Sequence, residues 1–484
     1  MTPAPPPFGD MPPDDFRRHA HTLVEWAAGY FEQIETHAVL SQVSPGDLRK
    51  ALPDNAPEQP EPFEQVIADL DRLILPAATH WNHPGFFAYF AITGSAPGVL
   101  MDLVSSALNQ QAMLWRTSPA ATELEEVTLR WLARLMHLPD QVEGVIYDTA
   151  SISTLHALAA AREVAVPDVR TKGLAGRDLP RMRVYASEHA HSSVDKAVIA
   201  LGLGHESLRR IPADGHFSMR IDALESALAE DRAAGITPIA IVATIGTTSS
   251  TSVDDVVAAA TIAKREGVWL HVDAAYAGVM AMVPEFAWMR AGLDQADSIV
   301  VNPHKWLFTP FDLSVLFTPR MDVIRQAFSL TPEYLKTPEA GAVKNLMDTG
   351  IQLGRRFRAL KLWAILRYFG AEGVRARLRE HCRLAQVFAS WVDADPDFER
   401  VAPVPFSVVC FRARPRAAVG LADGDLDALN HSLIERVNKT GEVFLSHTAL
   451  NGQIVIRLAV GNLRTEERHI RRAWDLLREA LANT

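Results

Sequence analysis

Asn302-Pro303-His304-Lys305-Trp306 sets a lysine directly after an apolar run, Ser298-Ile299-Val300-Val301, that reads as a short buried strand. Pro303 has no N–H to give and ends that ladder. Lys305 is thereby delivered to the mouth of a sheet, among Trp306, Leu307 and Phe308. Desolvation there lowers an ammonium's pKa and exposes the amine as a nucleophile able to form a Schiff base with a carbonyl cofactor. A plain surface lysine after a strand would read the same way. Upstream, Trp269-Leu270-His271-Val272-Asp273-Ala274-Ala275-Tyr276 is a second strand ending in an acid and two small residues. Asp273 there either pairs with a protonated pyridine nitrogen, keeping the ring able to drain electrons, or caps the next helix. The small residues would let a flat ring approach the backbone.

Other strand ends carry further chemistry. Asp148-Thr149-Ala150-Ser151-Ile152-Ser153 joins a strand to a helix, where small hydroxyl residues and free N–H groups make an anion site; an ordinary Ser/Thr N-cap is the alternative. In Glu188-His189-Ala190-His191 two histidines stand two apart, but no matching Cys, His or acid cluster accompanies them, so no metal is expected. There is no Walker A run, and Gly202-Leu203-Gly204 lacks the third glycine of a dinucleotide fingerprint.

A strand-end acid followed by an Asn-Pro-His-Lys strand end resembles the group II pyridoxal-phosphate decarboxylases, and within them the aromatic-L-amino-acid decarboxylases. The resemblance covers nearly the whole chain after residue 13. It implies a fold type I, aminotransferase-like α/β architecture with a mostly parallel seven-stranded sheet, a small C-terminal α/β domain and an N-terminal helical segment. It also implies pyridoxal 5′-phosphate on Lys305, with Ala150, Ser151, Asn302 and His304 at its phosphate. Asp273 would meet the ring nitrogen with Ala275 beside it, and His191 would stack on the ring. Thr248, in Gly246-Thr247-Thr248, matches a family segment that contacts cofactor and substrate.

The substrate side follows the same resemblance. Thr79-His80-Trp81-Asn82-His83-Pro84-Gly85-Phe86-Phe87-Ala88-Tyr89-Phe90 looks like the family's pocket motif, which places Trp81, Tyr89 and Phe90 near an aromatic side chain. Ala91 stands where the family often has proline. Asn109-Gln110-Gln111-Ala112-Met113-Leu114-Trp115 is more polar than its animal counterpart, in a segment that reaches the neighbouring site. Leu330-Thr331-Pro332-Glu333-Tyr334-Leu335-Lys336 matches a mobile loop whose tyrosine protonates the product carbanion; the related aldehyde synthases carry phenylalanine at Tyr334. Gly354 matches a position that is glycine in indolic plant decarboxylases and serine in phenolic ones. The neighbouring arginines read equally as ion-pair partners or substrate contacts. The implied activity is decarboxylation of tryptophan, phenylalanine, tyrosine or their hydroxylated forms to the arylalkylamine and CO2. The alternative is an aromatic acetaldehyde synthase.

The elements that must position these residues alternate. Strands are expected at Val145–Tyr147, Arg183–Ala186, Ile239–Thr244, Trp269–Val272, Ser298–Val301 and Ser314–Thr318, with helices near 152–165, 192–201, 220–234 and 254–266. That alternation predicts a largely parallel sheet with ligands beyond the strands' carboxyl ends. A helix opened by Asp14 or Asp15 and running to Glu35, and another over Phe63–Leu75, each show an apolar stripe with little core of their own. They are expected to pack on a second subunit of a homodimer. A capping box, Thr122 with Glu125, is expected to open the helix to Met136. Val443–Ser446 and Ile454–Ala459 read as strands around the Asn451-Gly452 turn, with a loop longer than two residues. The resulting division is 1–90, 91–360 and 361–484.

Composition bounds the partners. The chain has 484 residues and a net charge of −10, with 48% hydrophobic residues, which disfavours nucleic acid and anionic membranes. Two cysteines, Cys382 and Cys410, are too few for a disulfide framework. Met1–Pro7 lacks the basic start and apolar core of a secretory signal, and no apolar run is long enough to span a bilayer. A cytoplasmic protein is expected.

Overall fold

The computed structural model describes residues 9–330, 338, 342–416 and 422–483. Its centre is a sheet of β1 (Glu143–Tyr147), β2 (Met182–Ser187), β3 (Leu208–Ile211), β4 (Thr237–Thr244), β5 (Trp269–Asp273), β6 (Ser298–Val301) and β7 (Ser314–Thr318). The strand order is β1-β7-β6-β5-β4-β2-β3. β7 runs antiparallel to both neighbours, and the remaining pairings are parallel. Alternate residues of β4 enter different apolar clusters: Ile241 and Ala243 join one, Ala240 and Val242 the other. A sheet covered on both faces needs apolar residues at every position, which is why these strands read as runs rather than alternations.

The six expected strands are present, and β3 is an addition. Leu208-Arg209-Arg210-Ile211 shows no apolar run because it is an edge strand. Arg209 pairs with the buried Asp231 at 3.0 Å and Arg210 with Asp195. The parallel strands end level, with Thr244 opposite Asp273 and Asp273 opposite Val300, so the functional residues share one rim.

A second, antiparallel sheet comprises β8 (Phe398–Arg400), β9 (Val408–Ala413), β10 (Ser446–Leu450) and β11 (Gln453–Ala459), ordered β10-β11-β9-β8. Asn451-Gly452 is a two-residue hairpin loop after all. Leu450 pairs with Gln453, and φ values of 51° and 77° give the paired left-handed residues of a type I′ turn. β10 begins at Ser446, three residues beyond the expected start at Val443. The helix Ala359–Ala394 joins the two sheets and breaks at Gly370, whose φ of 63° suits a residue without Cβ.

Two expected caps are not made. The first helix spans Pro13–Glu32, and Pro13 supplies its first turn with a fixed φ and one fewer orphan N–H. Asp14 and Asp15 instead pair with Arg17 and Arg18. The helix Pro119–Leu135 starts before Thr122, and Glu125 is 2% exposed, accepting the Ile146 N–H at 2.9 Å and pairing with Arg355 at 2.8 Å. Of the arginines flanking Gly354, Arg355 is therefore an ion-pair partner. Among the N-terminal helices, Phe16, Leu23, Val24, Phe31, Val99 and Leu103 line an apolar groove of about 370 Å³.

Five buried histidines are neutral in the fold. Burial holds His83, His271 and His381 at about 4, and His156 and His304 at about 3. Each lies below its unfolded value, so the unfolded chain binds more protons as pH falls under about 6.5. The melting temperature should therefore drop between about pH 7 and about pH 5, and a flat profile would contradict the burial of these rings.

Candidate active site

Asp273 is the last residue of β5, and Asn302 follows β6. One helical turn, Pro303–Trp306, then presents Lys305. Backbone bonds fix that turn: the Asn302 N–H donates to the Ala275 oxygen at 3.0 Å and the Lys305 N–H to the Asn302 oxygen at 2.9 Å. The Leu313 N–H donates to His304 Nδ1 at 2.9 Å, which locks the buried imidazole under the turn. Lys305 is half-buried, with Nζ 5.2 Å from the centre of the Phe90 ring. Burial pulls its pKa below the ordinary lysine value, and the opposing attraction of Asp273 is weaker.

Asp273 is buried, and its Oδ1 accepts the Ala275 N–H at 3.1 Å. No side chain caps the short helical turn after it, so the capping reading is not realised. His191 lies close enough to feel both Asp273 and Lys305. Burial lowers its pKa, Asp273 acts against this and Lys305 adds to it. Its Nδ1 accepts the Ser193 N–H at 3.1 Å, which leaves Nε2 to carry the proton of the neutral ring. His189 turns away and meets Phe217 edge-on. Thr247 is buried in hydroxyl contacts with Ser250 and Ser252, whereas Thr248 is exposed.

The residues fit pyridoxal phosphate on two observations. Thr149 is the N-cap of the helix Ala150–Ala165 yet makes no side-chain cap, because its hydroxyl donates to Asp148 at 3.2 Å. The N–H groups of Ala150 and Ser151 are left without an acceptor among the described residues, at the positive end of a 16-residue helix. Asn302 Oδ1 is buried with no partner among the described residues. Ala150 and Ala275 pack together with Val300, which brings the helix start and the acid-bearing strand to one place.

The aromatic residues divide. Phe90 is 7% exposed, stacks on Tyr276 at 3.8 Å, and Tyr276 stacks on Trp306 at 4.6 Å, so Phe90 braces the lysine turn. Trp81 and Tyr89 are exposed and stack on each other at 6.0 Å. Tyr89 has a φ of 51°, held by its N–H donating to Ser446 Oγ at 3.1 Å and its oxygen accepting from Arg457 at 3.1 Å. Gly354 sits apart: a Cβ there would meet only Gln111, at 3.8 Å. Tyr334 lies outside the described residues.

Arg457 escaped the sequence reading. It is 3% exposed, has no carboxylate partner among the described residues, and lies 5.4 Å from the Phe90 ring centre. Its Nε donates to the Ser249 oxygen at 2.8 Å, while Nη2 is buried without a partner among the described residues. An arginine on an apolar β11 carries no motif that would have drawn attention to it. Together the rim offers an amine whose pKa is lowered by burial, a buried carboxylate, an anion cradle and a spare cationic donor.

Residues 45–414 match the pyridoxal-dependent decarboxylase conserved domain. The chain is 41% identical to the phenylacetaldehyde synthase of Arabidopsis thaliana, over 97% of this chain and 96% of that one. It is 40% identical to the aromatic-L-amino-acid decarboxylase of Sus scrofa, over 97% and 96%. A crystal structure of Oryza sativa TDC with PLP and tryptamine superposes with a TM-score of 0.95 at 38% identity, covering 98% of this chain and 99% of that one.

Lys305 is expected to hold the cofactor covalently. After borohydride reduction and denaturation the wild-type chain should keep one pyridoxyl group, found by peptide mass on Lys305. Lys305→Ala should keep none, and label retained by that variant would move the attachment elsewhere.

Proposed function

The chain belongs to the pyridoxal-dependent decarboxylases, and we propose that it removes the carboxyl group of an aromatic L-amino acid, giving the arylalkylamine and CO2. The observation that carries this reading is the exposed Trp81–Tyr89 pair next to Phe90, whose ring meets the Lys305 amine. An aromatic side chain resting on that pair would lie beside the chain segment whose Phe90 meets the Lys305 amine.

Bound pyridoxal phosphate supplies the electron sink that weakens a bond on Cα. Lys305 carries it, the N–H groups of Ala150 and Ser151 with Asn302 and His304 take its phosphate, and Asp273 holds a proton at its ring nitrogen. Ala275 would allow a flat ring close to the backbone, and His191 would stack on it. Thr248, exposed on the same strand-end segment, is the residue of that run left for a substrate or cofactor contact. Trp81 and Tyr89 bind the substrate ring and exclude water, favouring loss of a poorly solvated carboxylate. Tyr334 then delivers a proton to Cα.

The Arabidopsis relative keeps a second product class in view, the aldehyde; Tyr334 at the loop position supports the amine. The working unit is a homodimer. Support comes from the apolar groove of the N-terminal helices and from Phe16, Leu100 and Leu108, each about half exposed at 55%, 49% and 53%. Gly354 faces Gln111 of the segment expected to reach the neighbouring site of such a dimer. A cytoplasmic location agrees with two free cysteines, and among the described residues no helix is long and apolar enough to cross a membrane.

The test is product analysis with tryptophan, phenylalanine, tyrosine, their hydroxylated forms and glutamate. Amine with CO2 from an aromatic acid is expected, and Tyr334→Phe should divert product to aldehyde, ammonia and CO2, with dioxygen consumed and reduced to peroxide. Turnover of glutamate alone would overturn the substrate class.

A further inference from the structure

His381 belongs to the long helix Ala359–Ala394 and touches none of the residues assigned above to cofactor or substrate, yet it is tied to both halves of the site. The Trp306 indole N–H donates to His381 Nδ1 at 2.9 Å, and the two rings lie within 6° of coplanar. An accepting Nδ1 leaves the proton on Nε2. That N–H donates to the Asn462 main-chain oxygen at 3.0 Å. The Asn462 side-chain amide in turn donates to the main-chain oxygens of Trp81 and His83, each at 3.2 Å.

Trp306 follows Lys305 directly and closes the Phe90–Tyr276–Trp306 stack. Trp81 is the exposed indole of the aromatic pair. The path from the lysine turn to the pocket segment therefore passes through one imidazole, with every intermediate residue buried. Gly461 lets the backbone pass at this point, since a Cβ there would meet Ala91 at 3.3 Å and Trp306 at 3.9 Å. A neutral imidazole presents an acceptor and a donor on opposite edges of a rigid plane, so it fixes a distance as well as filling space. No aliphatic residue could do both.

We propose that His381 is a positioning residue for substrate binding, holding Trp306 with one ring nitrogen and Asn462 with the other, so that the Lys305 turn and the Trp81 segment keep a fixed separation. The inference rests on the reading that Trp81 lines the substrate pocket. Loss of the His381 bonds uncouples Asn462, and with it the hydrogen bonds to the Trp81 and His83 oxygens, from the Trp306 side of the site, while leaving Lys305, Asp273 and the anion cradle in place. The consequence is weaker binding of the aromatic ring rather than slower chemistry.

The experiment compares holoenzymes of wild type, His381→Phe, His381→Gln and Asn462→Ala, measuring kcat, KM and melting temperature with the best aromatic amino acid. His381→Phe keeps a flat ring and loses both bonds. It should raise KM about fivefold or more while kcat stays within about twofold. His381→Gln, which has one acceptor and one donor, should recover most of the loss. Asn462→Ala keeps the main-chain oxygen that His381 uses and removes the donors to Trp81 and His83, together with the Oδ1 that accepts the Arg464 N–H at 2.9 Å, so it should reproduce the rise in KM. An unchanged KM in folded Asn462→Ala, or in folded His381→Phe with a lowered melting temperature, would reduce His381 to a core residue and overturn the proposal. If His381→Phe does not fold, Asn462→Ala decides by the same criterion. A wild type active only on non-aromatic amino acids would instead refute the reading of Trp81, and the proposal with it.

Discussion

Holding an amine out of water beside a carboxylate sets two forces against each other, and the rest of the structure serves the balance at Lys305. Burial disfavours the ammonium, Asp273 favours it, and burial is the larger effect. The amine is therefore easier to deprotonate than a surface lysine and stands ready as a nucleophile. A different outcome would follow from small changes in geometry. A closer contact between Asp273 and Nζ would make a tight ion pair and remove the nucleophile, since attraction rises steeply in a poorly solvated site.

That geometry comes from strand ends. β5 and β6 are parallel and in register, so the acid at the end of one and the asparagine after the other emerge side by side. Pro303 stops the second ladder, and one helical turn swings the lysine over the rim. Beneath it, Phe90, Tyr276 and Trp306 form a stack of near-parallel rings that leaves the lysine stem little room to move. The floor comes from distant parts of the chain: Phe90 from the N-terminal segment, Tyr276 and Trp306 from the sheet. The C-terminal unit adds Arg457 from β11, which clamps the strained backbone of Tyr89.

Much of this was legible in the chain. Lys305, Asp273 and the Thr149–Ser151 turn follow apolar runs whose ends can be seen, because a sheet buried on both faces leaves continuous hydrophobic segments. What escaped depends on contacts between distant segments. Glu125 sits where a capping box would place it, but its carboxylate is drawn into the core by Arg355, a partner no local pattern reveals. β3 carries two arginines because its outer edge meets acids rather than apolar neighbours. Arg457 and His381 sit within ordinary strand and helix patterns, and only the fold brings them to Phe90 and Trp306.

Availability of the Lys305 amine through burial is a measurable property. It is tested most directly by the pH dependence with which the apo-protein captures pyridoxal phosphate, followed as growth of absorbance in stopped flow. The capture rate should rise with a midpoint clearly below the ordinary lysine value of 10.5. A midpoint at 10.5 or above would show that attraction to Asp273 outweighs burial, and would contradict the account.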